Sequence, residues 1–263
     1  MARRPDTAGE TPRGRNSEWR EEGWGEDRRI KKGGRRGGEG KGMGLSISQR
    51  LYEVGAQGSG CDLYGVARSR ATAFTHSVKV DITDEHSIQV AVKESIQKLG
   101  GLQGLIANAG INGPTKPTCE YSKKEWEHVM SVDLTGVFLS TRAVLHHMRK
   151  QGYGRLIIIS SVAGKEGNPG ASPYGAAKAG VIGYAKGLAR ELLPADITVN
   201  CLAPSITETD LLQKMTDAYI EDKKSRIPMG RFCTAAEIAD MTAWVARPHC
   251  SDRKSTRLNS SHW

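Results

Sequence analysis

The sequence predicts an α/β fold built on a doubly wound parallel sheet, and three observations carry that expectation. From Gly37 onward, short apolar runs alternate with amphipathic stretches, the pattern of repeated strand–helix units. Leu156-Ile157-Ile158-Ile159 is four apolar residues in a row between Arg155 and Ser160, which suits a strand covered on both faces. The length, 263 residues, accommodates one large domain with a substantial core.

Residues 1–36 are rich in Arg, Glu and Gly, hold Ile30 as their one β-branched aliphatic residue and show no periodicity, so they read as a disordered arm. They lack the apolar stretch and cleavage site of a secretory signal, and seven acidic residues argue against a transit peptide. The domain is expected over 37–251. Within it, Leu45 to Val54 reads as a helix ended by Gly55, and Leu63 to Ala67 and Val78 to Val80 read as short strands. Ile88 to Leu99 has helical spacing, and Gly104 to Ala107 is a strand leading into the turn Asn108-Ala109-Gly110. Glu125 to Arg149 is a long helical region with Leu134, Val137, Phe138, Thr141, Val144, Leu145 and Met148 at core spacing. After the strand at Leu156 come a helix from Tyr174 to Leu193, a strand from Ile197 to Leu202, and helices from Thr209 to Ser225 and from Ala235 to Ala246.

The formal net charge of +9 is unevenly spread. Residues 1–36 hold 11 Lys/Arg against 7 Asp/Glu and residues 247–263 hold 4 against 1, so the body is close to neutral. Charges of mixed sign, with Trp19 and Trp24 as the arm's aromatics, argue against a nucleic-acid binder. No apolar run approaches the roughly 20 residues that span a bilayer, so no membrane partner is expected. Cys61, Cys119, Cys201, Cys233 and Cys250 are odd in number, far apart and without a CxxC pair, which suggests neither a disulfide framework nor a metal site and fits a reducing cytoplasm.

Three features carry chemistry. Gly38-Glu-Gly-Lys-Gly42-Met-Gly44 precedes a helix, where glycines let backbone N–H groups approach a pyrophosphate; a flexible Gly/Lys linker has the same composition. Tyr174 and Lys178 stand at i and i+4 on one helix face. An ammonium beside the phenol would favour the phenolate, making tyrosine an acid/base group near neutral pH. Tyr219 and Lys223 repeat the spacing, but Ser161 precedes Tyr174 by thirteen residues at the exit of the strongest strand, whereas Ile206 holds that place before Tyr219. The carboxyl end of a parallel strand is where open α/β sheets bind ligands.

The glycine run, Asn108-Ala109-Gly110, Ser161, Tyr174 with Lys178, and Ala203-Pro204 through Thr209 stand in the order and spacing of the short-chain dehydrogenase/reductases, and residues 37–251 resemble that family. The stretches from Ser161 to Gly170 and from Ile227 to Phe232 are similar to 3-oxoacyl-carrier-protein reductases and related sugar-acid or polyol dehydrogenases. The resemblance implies a single Rossmann-type domain that transfers a hydride between a nicotinamide cofactor and a carbonyl or secondary alcohol. Tyr174 would exchange a proton with the substrate oxygen, Ser161 would hydrogen-bond that oxygen, and Lys178 would bind the nicotinamide ribose. Gly38, Gly42 and Gly44 would line the pyrophosphate, Asp81 would face the adenine, and Asn108, with Ala109 and Gly110, would brace the turn by the adenine ribose. Pro204, Thr207 and Thr209 would line the nicotinamide side. Ala67 and Arg68 stand where the second strand is expected to end, and Lys41 lies in the glycine turn. These cations favour NADP over NAD, although Arg68 also suits a plain surface position. A homodimer or homotetramer through the helices around 125–149 and 174–193 is implied by analogy.

Departures from the family pattern stand beside these matches. Asp133 occupies the position where the family has the asparagine that holds a water in the proton relay; an ionised aspartate accepts hydrogen bonds but cannot donate them. Ser205 follows Pro204 where glycine is usual, and Ala107 replaces the first asparagine of the turn. The hydrophobic strand expected before the glycine turn is replaced by Arg28-Arg-Ile-Lys-Lys-Gly-Gly-Arg-Arg36, and the final strand by the polar tail 252–263. The fold is therefore expected to lack a proper first and last strand, with 1–36 and 252–263 foreign to the domain. The alternative to an active enzyme is a member of the same fold that binds cofactor or partners without turnover.

Overall fold

The computed structural model describes residues 42–56, 59–62, 76–208 and 217–250. The arm 1–36, Gly38, Lys41, Arg68, Thr209 and the tail 252–263 lie outside them.

Apolar residues without a break, Leu156 to Ile159, form the centre of the sheet. Strand β4 (Tyr153–Ile159) pairs in parallel with β3 (Gly104–Ala107) on one side and β5 (Asp196–Leu202) on the other, with Leu156 opposite both Leu105 and Val199. Side chains alternate across a strand. Leu156 and Ile158 therefore join one core with Val144 and Met148 of α4 (Gly136–Gln151) and Val181, Ala185 and Leu188 of α6 (Ser172–Glu191). Ile157 and Ile159 face the opposite layer, packing with Ile47 of α1 (Met43–Glu53) and Ala239 and Val245 of α8 (Ala235–Val245). Each of these four strand residues is at most 2% exposed, and burying a side chain of this size contributes roughly 1.5–3 kcal/mol.

A second parallel pair consists of β1 (Ser59–Asp62) and β2 (His76–Lys79), with Cys61 opposite Val78. It leads to α2 (Glu85–Leu99), which starts at Asp84, whose carboxylate accepts from the backbone N–H of His86 and Ser87. Val78, Val80, Ile82, Ile88 and Ala91 form a third core with Val132, tying this pair to the helix that follows β3. The long helical region is three segments in continuous succession. The first is α3 (Lys123–Met130), opened by a reciprocal cap between Ser122 and Glu125; a π-helical turn over Ser131–Thr135 and then α4 follow. Met148 at the end of α4 is fully buried against Gly154 of β4.

Among the described residues, Arg155 is a buried cation within a strand, and it is well provided for. Arg155 is 2% exposed; its guanidinium stacks 4.2 Å from the Tyr153 ring centroid and donates to Asp196 Oδ1 at 3.0 Å and to the carbonyls of Gly154, Asp196 and Pro248. A buried charge needs this saturation, and the bond to Pro248 fixes the segment after α8. The remaining elements are α5 (Ala163–Glu166), α7 (Asp217–Ser225) and a short parallel pair, β6 (Thr207–Glu208) with β7 (Cys233–Thr234).

The expected strand Leu63 to Ala67 lies outside the described residues. Ser59-Gly-Cys-Asp62 has little intrinsic strand preference and is held by its register with His76–Lys79, tertiary pairing prevailing over local composition. The region expected to be helical over 125–149 is helical, and it contains a π turn that no apolar spacing announces. Among the described residues the sheet pairs are β1 with β2, β3 with β4 with β5, and β6 with β7; the segments 28–36 and 252–263 lie outside them.

Candidate active site

The site assembles where β3 and β4 end. β4 stops at Ile159 because Ser160 N–H donates to Leu202 O at 2.7 Å and Val162 N–H to Pro204 O at 3.0 Å, so the chain leaves the sheet beside the loop that follows β5. Ser161 Oγ then accepts from Ala163 N–H at 3.2 Å, opening α5, and its hydroxyl lies near enough to the Tyr174 phenol to act on its ionisation. Tyr174 lies in the first turn of α6, with Pro173 beside it at the start of the helix. One turn later Lys178, 3% exposed, donates from Nζ to Ile159 O at 3.1 Å. The helix is pinned by Ser160 Oγ, which donates to Lys178 O at 2.7 Å. Gly164 makes this closeness possible: a Cβ there would stand 2.5 Å from Lys178 C and 2.6 Å from Lys178 O. Ser161, Tyr174 and Lys178 are thus brought together as expected.

Asp133 joins them from the π turn. It is wholly buried, its Oδ1 accepts from Ile111 N–H at 2.7 Å, and its Oδ2 lies 3.5 Å from Lys178 Nζ. Both groups pack against Gly110, where a Cβ would come within 3.1 Å of Asp133 Oδ2 and of Lys178 Nζ. Burial raises the Asp133 carboxyl above its ordinary range, against the Lys178 charge and the Ile111 N–H, which lower it. The phenol differs from expectation. Burial raises the Tyr174 pKa, the Ser161 hydroxyl opposes the rise and the Asp133 charge adds to it.

A cleft of about 300 Å³ extends from this cluster, lined by Asp81 and Thr83 after β2, by Asn108, Ala109, Gly110 and Ile111 after β3, and by His128 and Val132. Asp81 Oδ1 accepts from both the N–H and the hydroxyl of Thr83, at 2.8 and 2.7 Å, which holds its carboxyl below the usual range. Asn108 Oδ1 is buried without a hydrogen-bond partner, while its Nδ2 lies 3.0 Å from where a Cβ at Gly44 would sit. Gly42 caps α1 with no side-chain hydrogen bond, and a Cβ there would meet nothing within 4 Å. An uncapped helix start has unsatisfied N–H groups suited to an anion. The orphaned Asn108 oxygen and this start fit the adenosine and pyrophosphate portions of a dinucleotide. Further along, Thr207 Oγ1 donates to Ser205 O at 3.1 Å at the head of β6, and Pro204 accepts from Val162. Gly38, Lys41, Arg68 and Thr209 fall outside the described residues.

Sequence reasoning did not find His128 on the cleft wall, the Ile111 N–H that holds Asp133, or the Ile159 carbonyl that holds Lys178; the last two are backbone groups and carry no residue signal. Among the described residues, no helix is long and apolar enough to cross a membrane and no cluster of three acidic, His or Cys residues could hold a metal.

Known proteins are similar to this chain. A family profile described as short chain dehydrogenase matches residues 37–220. The 2-dehydro-3-deoxy-L-rhamnonate dehydrogenase (NAD(+)) of Sphingomonas sp. (strain SKA58) is 36% identical over 227 residues, 85% of this chain and 91% of that enzyme. The 3-oxoacyl-[acyl-carrier-protein] reductase FabG of Aquifex aeolicus (strain VF5) is 35% identical over 226 residues, covering 83% and 89%. The crystal structure of levodione reductase superposes with a TM-score of 0.74 at 30% identity, covering 80% of this chain and 88% of that one. With the serine, tyrosine and lysine converging beside this cleft, the chain belongs to the short-chain dehydrogenase/reductase family of NAD(P)-dependent oxidoreductases.

Proposed function

We propose that the chain interconverts a carbonyl and a secondary alcohol, with Tyr174 as the proton-exchanging group, Ser161 as the partner of the substrate oxygen and Lys178 as the residue holding the nicotinamide ribose. The carrying observation is the convergence at the carboxyl end of β4: α6 is pinned there by Ser160 Oγ on Lys178 O and by Lys178 Nζ on Ile159 O, with Lys178 Nζ 5.7 Å from the Tyr174 ring centroid and Ser161 beside them. In reduction the phenol gives its proton to the carbonyl oxygen while the Ser161 hydroxyl donates to the same oxygen, stabilising the negative charge that develops there. In oxidation the phenolate takes the proton back. The nicotinamide cofactor, when bound, supplies or accepts the hydride. Lys178, fixed by Ile159 O, presents its remaining protons to the ribose, and Asp133 keeps the ammonium in place. Gly42 and Gly44 at the start of α1, with Gly38 and Lys41 before them, hold the pyrophosphate; Asn108, Ala109, Gly110 and Asp81 hold the adenosine end; and Pro204, Thr207 and Thr209 flank the nicotinamide.

The end of β1 supports NAD as the preferred cofactor rather than the NADP suggested by Arg68. Asp62 is the last described residue of that strand, and an acidic residue at such a strand end would accept the ribose hydroxyls and repel a 2′-phosphate. The Sphingomonas relative, a sugar-acid dehydrogenase named for NAD(+), agrees with this preference.

The test follows nicotinamide absorbance with a panel of 3-oxoacyl thioesters and keto and hydroxy sugar acids, using NADH and NADPH in reduction and NAD and NADP in oxidation. Turnover that falls about 10²- to 10⁴-fold in Tyr174→Phe supports the reading; turnover retained in that variant overturns it.

A further inference from the structure

Asp133 puts a negative charge where little solvent screens it. Its Oδ2 has no hydrogen-bond partner and faces Lys178 Nζ at 3.5 Å, and that nitrogen lies 5.7 Å from the centroid of the Tyr174 ring. The pair is held from all sides: Ile111 N–H on Asp133 Oδ1, Ile159 O on Lys178 Nζ, and Gly110 packed against both. Neither group can swing to water. Charges in such a setting act on their neighbours through an effective dielectric well below that of water. The other titratable groups nearby are His128 on α3, whose charge favours the Asp133 carboxylate, and Cys201 on β5, whose thiol burial pushes up to about 11 and so leaves neutral.

We propose that Asp133 is a positioning residue that sets the working pH of Tyr174: its carboxylate cancels the Lys178 charge at the phenol, so Tyr174 keeps its proton through the neutral range. This rests on Tyr174 being the proton-exchanging group. A tyrosine that keeps its proton is ready to give it to a carbonyl oxygen, whereas alcohol oxidation needs the phenolate and is displaced to alkaline pH. An amide of the same shape would still accept from Ile111 N–H, but would leave the ammonium uncompensated beside the ring.

Ultraviolet difference titration of phenolate reads this directly and needs no substrate. Subtracting the titration of Tyr174→Phe from that of the native chain isolates Tyr174, and the same subtraction is made in the Asp133→Asn, Asp133→Ser and Asp133→Glu backgrounds, each checked for a native near-ultraviolet dichroism spectrum. The expected result is a native midpoint at or above that of free tyrosine, about 10. Asp133→Asn and Asp133→Ser are expected to hold about tenfold more phenolate at a given pH, a midpoint about one unit lower, while Asp133→Glu stays with the native chain. Coincident midpoints in the native and neutral variants overturn the proposal, as does a native midpoint clearly below that of free tyrosine, a measurement that needs no Asp133 variant to fold. Turnover retained by Tyr174→Phe would instead overturn the functional reading, without moving these midpoints.

Discussion

Lys178 Nζ and Asp133 Oδ2 lie 3.5 Å apart, the lysine side chain 4% exposed and the aspartate fully enclosed. Breaking such a pair from one side leaves the other charge buried and alone, which costs about 3–5 kcal/mol. Lys178→Met is therefore expected to lower urea-unfolding stability by that amount near neutral pH, and the loss shrinks in acid as Asp133 takes up a proton. Lys178→Met combined with Asp133→Asn should be less damaging than Lys178→Met alone. A double-mutant cycle in urea checks both statements.

Gly164 packs α5 onto α6 with no room to spare. A methyl group there would meet backbone atoms of Lys178 and Ala179 at 2.5–2.7 Å, and backbone cannot rotate away. Gly164→Ala is expected to cost about 1–3 kcal/mol, read as a lower melting temperature. It should also cut turnover, because the helix that moves is the one bearing Tyr174 and Lys178.

Cofactor choice is expected to follow Asp62 at the end of β1. Hydrogen bonds to a charged group contribute about 1.5–3 kcal/mol, so Asp62→Ala should weaken use of NADH about 10- to 100-fold in kcat/KM while leaving NADPH use equal or improved. Steady-state kinetics with both cofactors measures the ratio.

Acid should loosen two helix starts together. Lys116 and the Ser122 cap hold the Glu125 carboxyl at about 2, and Arg231 with the Thr234 cap holds Glu237 at about 2, both from an ordinary 4.5. A carboxyl whose folded pKa is depressed contributes stability that is complete above its unfolded value and disappears as pH falls through the folded one. The melting temperatures of the native chain and of Glu125→Gln should thus differ above about pH 4.5 and converge as pH approaches 2.

The strong signals in the sequence were those with redundancy. Leu156 to Ile159 reads as a central strand because four apolar residues in succession have few other uses, and Ser161, Tyr174 and Lys178 read as a site because strand exit and helix spacing agree. Asn108 to Gly110 behaved likewise, and its Gly110 is the surface on which Lys178 and Asp133 rest. What stayed hidden depends on distant partners. Ser59 to Asp62 becomes a strand only against His76 to Lys79, a pairing its own composition does not announce. The rise in the Tyr174 pKa comes from its burial and from the charge of Asp133, which is 41 residues away in sequence. No helical spacing could reveal it.

The make-up of the cleft wall has a mechanical consequence. The cleft wall is shared: Asp81 and Thr83 belong to the two-stranded piece, and Asn108 to Ile111 to the three-stranded one. A dinucleotide lying along that wall would touch both pieces at once and so add cohesion between them. Occupancy of the cleft and rigidity of the β1–β2 edge become one variable, so the amides of β2 gain protection from exchange in step with cofactor concentration.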